Sequence, residues 1–193
     1  MNLPNRISLI RIFLIPVLVF FFFANFIPNG INYFVSAGIF LLAACTDALD
    51  GHIARKYNLV TTIGKFLDSI ADKLLATVTL ILVICCNILD WRIGSIILIV
   101  IVSRDLIVDM LRQIAASKSV VIAADWFGKI KTIVIDIALP ILLLIPGLLA
   151  LNVTGLAFDV VYYLGFGLLC LSAVLSVLSG INYIVKNRAV FKD

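Results

Sequence analysis

The sequence predicts an all-α integral membrane protein that folds as a single domain over residues 1–193. Of its 193 residues, 63% are hydrophobic and 13% are charged, whereas soluble domains are roughly half apolar. Six apolar stretches fill almost the whole chain, and each approaches the about 20 residues that a bilayer-spanning helix needs. We therefore expect six transmembrane helices at about 9–27, 33–57, 66–88, 91–116, 129–151 and 157–185.

The first stretch opens with a short amphipathic segment that carries Asn5, Arg6 and Arg11. Such a segment can lie at the head-group surface of a membrane. The apolar residues that follow lack a small-x-small cleavage site, so we expect the first helix to be retained rather than removed as a signal peptide.

The positive charges predict the orientation of the helices. With six spans, 14 of the 15 Lys and Arg residues fall on one side of the membrane, and only Arg92 falls on the other. Cytoplasmic connections carry such an excess, so we expect both termini to be cytoplasmic. The net charge of +4 then reflects topology and attraction to lipid head groups or phosphates. Nucleic-acid binding is not expected, because no basic soluble surface is available.

Four aspartates cluster where the second helix ends and the third begins. They follow helical spacing on both helices, and the connection between the helices is short, so the carboxylates should face one another. Clustered carboxylates repel, and without a His or Cys ligand set they favour hard cations such as Mg2+ or Mn2+. Two such ions can assist phosphoryl chemistry. The four residues are Asp47, Asp50, Asp68 and Asp72.

Small residues lie between these carboxylates. Gly51, Ala54 and Gly64 leave room for a bound molecule or allow helices to pack closely. The alternative interpretation is a solvated helix end, in which Arg55 and neighbouring lysines pair with the aspartates. His52, within the same segment, is interpreted as a spectator.

The pattern from Asp47 to Asp72 reads D-x2-D-G-x2-A-R-x8-G-x3-D-x3-D, and it resembles the signature of the CDP-alcohol phosphotransferase family at every fixed position. Members of that family displace CMP from a CDP-alcohol, usually CDP-diacylglycerol, with the hydroxyl group of a second alcohol. The resemblance implies two divalent ions, Mg2+ or Mn2+, bound by Asp47, Asp50, Asp68 and Asp72. It implies that Asp72 is also the general base. It further implies a homodimer and a cytoplasm-facing active-site cavity in the bacterial cytoplasmic (inner) membrane.

The same resemblance implies a binding site for the CDP group near the aspartates. Its expected residues are Gly51, Ala54, Arg55 and Gly64. Asn5, in the N-terminal segment, is also expected to bind the CDP group. That segment can close over the nucleotide or lie at the head-group surface.

The acceptor alcohol is indicated by a second region. "SRDLIVDMLRQIAASKSVVIAADWFGKIKT", like the opening "MNLPNRISLIRIFLIP", is similar to bacterial phosphatidylglycerophosphate synthases of the same family. In this region Asp105 replaces the usual Glu. The run "GKFLDSIADKLLA" is also similar to that group, although Ser69-Ile70 stands where the group usually has Pro-Leu. The region also groups cations that can hold a second phosphate, with Arg offering bidentate contacts. These cations are Arg104, Arg112, Lys129 and Lys131.

The expected reaction is transfer of the phosphatidyl group of CDP-diacylglycerol to sn-glycerol 3-phosphate, with CMP as leaving group. The alternatives are a related transferase that uses inositol phosphate, phosphatidylglycerol or serine, and a cation transporter whose aspartates form an ion pathway. The cations of the second region could instead be topology markers paired with Asp105 and Asp109. Asp136, inside the fifth span, is assigned no function.

Overall fold

Six α-helices make up the part of the chain that the structure describes. The computed structural model describes residues 3–24, 26–56, 62–117 and 126–188, and for residues 3–6, 47–56, 62–63, 65 and 117 it describes the backbone alone. The helices are α1 (Leu3–Phe22), α2 (Ile31–Lys56), α3 (Thr62–Cys85), α4 (Trp91–Ser117), α5 (Trp126–Ala150) and α6 (Leu156–Lys186). No strand occurs in these ranges, so the all-α prediction is confirmed there.

The helix boundaries agree with the six apolar stretches except at the first one. We predicted a span over 9–27 after a separate segment, but α1 is continuous from Leu3 and ends at Phe22. The side-chain amide of Asn32 donates a hydrogen bond to the carbonyl of Phe22 at 2.9 Å, which satisfies one of the free carbonyls at the helix end. A short 3-10 turn, Pro28–Gly30, then leads into α2.

Three of the helices are long and apolar enough to cross a membrane by length and composition. They lie at Pro28–Thr46, Trp126–Ala150 and Leu156–Lys186, and a shorter apolar stretch covers Ile7–Phe22. Helices α3 and α4 carry more charges along their length, and except for Arg92 these charges are concentrated near one end of the bundle. They are Lys65, Asp68, Asp72 and Lys73 on α3, and Arg104, Asp105, Asp109 and Arg112 on α4.

Helix α5 lies at the centre of the bundle, where it packs along α6 and also contacts α2 and α3. Helix α1 packs on α2 and α3, and α4 packs on α6 and α3. Buried leucines such as Leu80, Leu139 and Leu169 fill the interior. The outer surface is also apolar, with Phe13 and Leu156 well exposed. A protein that is apolar both inside and outside is suited to lipid as its solvent.

The contact between α2 and α5 needs a glycine. A Cβ atom at Gly147 would lie 2.6 Å from the ring of Phe34, whereas a Cβ atom at Gly38 would meet none of the neighbouring elements in the described residues within 4 Å. We expect Gly147→Ala to lower the free energy of unfolding by about 1–3 kcal/mol, because overpacking forces neighbours to move. Thermal unfolding in detergent measures this, with Gly38→Ala as the matched control. Equal unfolding temperatures for the two variants would contradict the packing described here.

Candidate active site at the charged end of the bundle

Helices α3, α4 and α5 enclose a cavity of about 240 Å³. Its inner part is apolar and includes Leu80, Leu98 and Ile135, whereas its outer part is strongly charged. The structure brings Asp72 into one cavity with all four cations predicted to bind the acceptor. The charged lining consists of Asp72, Lys73, Arg104, Asp105, Asp109, Arg112, Lys129, Lys131 and Asp136.

Helical spacing explains why these residues share one cavity. On α3, Asp72, Ala76 and Leu80 are four residues apart and line it together, as expected for one face of a helix. The charged residues of α3 and α5 come early in those helices, and those of α4 come late. Since α3 and α5 run antiparallel to α4, these segments meet at the same end of the bundle.

Asp105 connects α4 to α5 by ion pairs. The ammonium group of Lys131 donates to both carboxylate oxygens of Asp105, at 2.7 Å each. The Nη1 group of Arg104 donates to Oδ1 of Asp105 at 3.0 Å. The Lys131 side chain is only 5% exposed, and a buried charge requires a hydrogen-bonded partner. The aspartate that replaces the usual glutamate thus neutralises a buried lysine.

A second ion pair, between Lys73 and Asp109, joins α3 to α4. Farther along α4, the guanidinium carbon of Arg112 lies 5.6 Å from the ring centroid of Tyr183 on α6, within the range of a cation–π interaction. Arg112 and Lys129 are both exposed. Among the described side chains, neither has a carboxylate partner. These two cations are therefore available to an anionic ligand.

Arg11 reaches the aspartate cluster from α1, which the sequence did not indicate. Its side chain is 1% exposed, and its Nη1 group donates to Oδ1 of Asp68 at 3.2 Å, while the Asp68 side chain is 45% exposed. The head-group position considered for Arg11 is therefore wrong. The sequence could have indicated this position, because Arg11 lies within the apolar run "ISLIRIFLIP" and a charge inside a membrane span needs a partner.

The other half of the aspartate pattern lies on α2. The α2 backbone is helical as far as Lys56, but the side chains of its predicted site residues lie outside the described residues, as do those of His52 and Asn5. The predicted roles of this group therefore stay predictions. The α2 residues concerned are Asp47, Asp50, Gly51, Ala54 and Arg55.

On α3, two predicted metal ligands are described. Asp68 and Asp72 lie one helical turn apart and are both partly exposed, so their carboxylates can share one hard cation site. The described side chains alone contain no group of three possible metal ligands. Gly64, predicted to line the CDP site, lies in the first turn of the same helix.

Comparison with known proteins gives one consistent result. The model of the CDP-alcohol phosphatidyltransferase family matches residues 1–178. The chain is 37% identical over 204 aligned residues to the CDP-diacylglycerol–glycerol-3-phosphate 3-phosphatidyltransferase of Bacillus subtilis (strain 168), with 99% of this chain and 97% of the relative covered.

Proteins of the same name in two other bacteria are similar at comparable levels. The relative from Rickettsia typhi (strain ATCC VR-144 / Wilmington) is 34% identical, with 98% of this chain and 99% of the relative covered. The relative from Shigella flexneri serotype 5b (strain 8401) is 33% identical, with 100% of this chain and 98% of the relative covered.

The contact between Arg11 and Asp68 generates a stability prediction. We expect Arg11→Gln to lower the free energy of unfolding by about 1–3 kcal/mol, because it removes a charged hydrogen bond made by a buried group. Arg92→Gln is the matched control, since Arg92 is exposed at the opposite end of the bundle. Thermal unfolding in detergent measures both. An Arg11→Gln protein as stable as the Arg92→Gln protein would show that the contact contributes nothing.

Proposed function

The chain belongs to the CDP-alcohol phosphatidyltransferase family, and on this basis we propose that it transfers the phosphatidyl group of CDP-diacylglycerol to sn-glycerol 3-phosphate. The products are phosphatidylglycerol phosphate and CMP. Its relatives over nearly the full length carry the name of that activity, which supports glycerol 3-phosphate as the acceptor.

One observation carries the proposal: a carboxylate and a group of cations share one cavity. Asp72 lines the cavity together with Arg104, Arg112, Lys129 and Lys131. A base beside an anion-binding group suits an acceptor that has both a hydroxyl group and a phosphate. Glycerol 3-phosphate has both, whereas serine has no phosphate to occupy the cationic side.

In the proposed reaction, Asp72 accepts the proton of the C1 hydroxyl group of glycerol 3-phosphate. The oxygen attacks the β-phosphorus of CDP-diacylglycerol, the bond from that phosphorus to the bridging oxygen breaks, and CMP leaves. The cations hold the phosphate of the acceptor and thereby orient its hydroxyl group, since positioning lowers the barrier of such a transfer. A proton-accepting side chain must lie within hydrogen-bond reach of the hydroxyl group, and the shared cavity makes that possible.

We assign the binding of two Mg2+ or Mn2+ ions to Asp47, Asp50, Asp68 and Asp72. The residues fit such ions, because every donor is a carboxylate oxygen and Asp68 and Asp72 are partly exposed one turn apart. When bound, the ions would supply neutralisation of the diphosphate charge. We assign the CDP group to the adjoining residues Asn5, Gly51, Ala54, Arg55 and Gly64.

The proposal includes six membrane-spanning helices, with the cavity and both termini on the cytoplasmic side of the bacterial inner membrane. It also includes a homodimer. The charged residues of α3, α4 and α5 that line the cavity gather at one end of the bundle, which supports a single charged membrane face. A cation transporter would need such charges through the depth of the membrane, so this distribution favours the enzyme.

The role of Asp72 is tested by measuring CMP release from purified protein with CDP-diacylglycerol and Mg2+ or Mn2+. We expect release with glycerol 3-phosphate, and we expect Asp72→Asn to reduce the rate by about 10²-fold or more, the range of a lost general base. Asp159→Asn is the matched control, because Asp159 is exposed in the first turn of α6, at the opposite end of the bundle. An Asp72→Asn enzyme as fast as the control would remove Asp72 from the reaction.

The same assay with other acceptors tests the alternatives. Inositol phosphate, phosphatidylglycerol and serine are each supplied in place of glycerol 3-phosphate. Release of CMP with one of them and not with glycerol 3-phosphate would support the proposed transfer reaction but would show that glycerol 3-phosphate is not the acceptor.

Metal removal tests the aspartate assignment. Treatment with EDTA should abolish CMP release, and Mg2+ or Mn2+ in excess should restore it, because without divalent ions the carboxylates and the diphosphate repel each other. Full activity in EDTA would show that the aspartates act without divalent ions.

A further inference from the structure

We propose that Arg104 is a positioning residue, which fixes the wall of the cavity where α4, α5 and α6 meet, and that the acceptor phosphate is contacted by Arg112 and Lys129 instead. This inference rests on the proposed function and divides the four predicted acceptor-binding cations into two pairs with different tasks.

Two glycines confine the side chain of Arg104. A Cβ atom at Gly180 on α6 would lie 3.1 Å from its Cγ, and a Cβ atom at Gly128 on α5 would lie 3.0 Å from its Nη2. Both distances are shorter than ordinary van der Waals contact between carbon atoms or between carbon and nitrogen. The arginine therefore passes between two helices through a gap that exists because both positions lack a side chain.

Protein groups already occupy both ends of the Arg104 guanidinium. Its Nη2 group donates to the hydroxyl oxygen of Ser179, which is fully buried on α6. Its Nη1 group donates to Asp105 at 3.0 Å, and the Arg104 side chain is only 14% exposed. Because the donors of a guanidinium form a rigid planar fork, turning it towards a ligand would break both bonds.

Asp105 extends this network to α5. Both of its oxygens accept from Lys131 at 2.7 Å, so Arg104 and Lys131 are linked through one carboxylate. One chain of contacts, Ser179–Arg104–Asp105–Lys131, thus joins three helices around the cavity. Arg104 and Lys131 share the carboxylate of Asp105, so both are held by an ion pair within the protein although the three groups keep a net charge of +1.

Arg112 and Lys129 differ from that pair in exposure and in charge compensation. Both line the cavity and both are exposed. Neither has a carboxylate partner among the described side chains. An incoming phosphate can therefore reach them without breaking an ion pair, which is why they are assigned the contact.

The two tasks predict different kinetic effects. Loss of a contact made equally to bound substrate and transition state raises KM, whereas loss of correct placement lowers kcat. We expect Arg104→Gln to lower kcat about tenfold with the KM for glycerol 3-phosphate changed by less than about threefold. We expect Arg112→Gln to raise that KM about tenfold with a much smaller change in kcat, because an anion contact is lost.

A second variant displaces Arg104 without removing it. In Gly180→Ala, the Arg104 Cγ is the one atom of another described element within 4 Å of the added methyl group. Gly167→Ala is the matched control, because it adds the same group to the same helix and meets no neighbouring element of the described structure within 4 Å. We expect Gly180→Ala to lower kcat several-fold, roughly threefold to tenfold for a displacement of a few tenths of an ångström, and Gly167→Ala to leave it unchanged.

The inference is overturned if Arg104→Gln raises the KM for glycerol 3-phosphate with kcat preserved, since Arg104 would then contact the acceptor. It is also overturned if Gly180→Ala behaves like Gly167→Ala. If the wild-type protein transfers to a different acceptor, only the proposed acceptor is overturned. The kcat and KM of the Arg104 variants can then be measured with that other acceptor. Absence of CMP release by the folded wild-type protein with every acceptor would overturn both.

Discussion

The ion pair between Lys131 and Asp105 is the interaction on which the charged end of the bundle depends. A lysine that is 5% exposed in an apolar bundle carries a large desolvation cost, and a bidentate carboxylate offsets it. Because the two residues lie on α5 and α4, the pair also links those helices across the wall of the cavity.

Two further ion pairs connect helices at the charged end of the bundle. Lys73 pairs with Asp109 between α3 and α4, and Arg11 pairs with Asp68 between α1 and α3. Each contact joins two helices near the end where the predicted metal ligands and acceptor residues lie. The charged residues at this end of the bundle therefore include both structural ion pairs and the residues proposed to bind substrate. The cations held in the cavity wall are buried, whereas those open to a ligand are exposed.

Much of the fold was predictable, because apolar length alone specifies a membrane helix. All six helices were located, and the error at the end of α1 arose because the group that caps Phe22 belongs to Asn32 in the next element. The grouping of Asp72 with Arg112 and Lys129 was also predictable, since spacing and topology place them at one end of the bundle.

The direction in which each side chain points was not predictable from spacing. Arg11 turns inward because of how α1 packs on α3, and such a rotation is set by the partner helix. The gap that admits Arg104 needs Gly128 and Gly180 together. Gly128 belongs to the run that resembles the family, but no sequence pattern marks Gly180 as a residue of the site.

We propose that the cavity directs the phosphatidyl group to a second phosphate-bearing alcohol rather than to water. Phosphorus NMR of the lipid product distinguishes these two fates, after incubation of the wild-type protein with CDP-diacylglycerol, glycerol 3-phosphate and Mg2+. We expect one lipid that carries both a phosphodiester and a phosphomonoester, formed in equal amount to CMP. Phosphatidic acid together with CMP would indicate hydrolysis and would overturn the proposed acceptor chemistry.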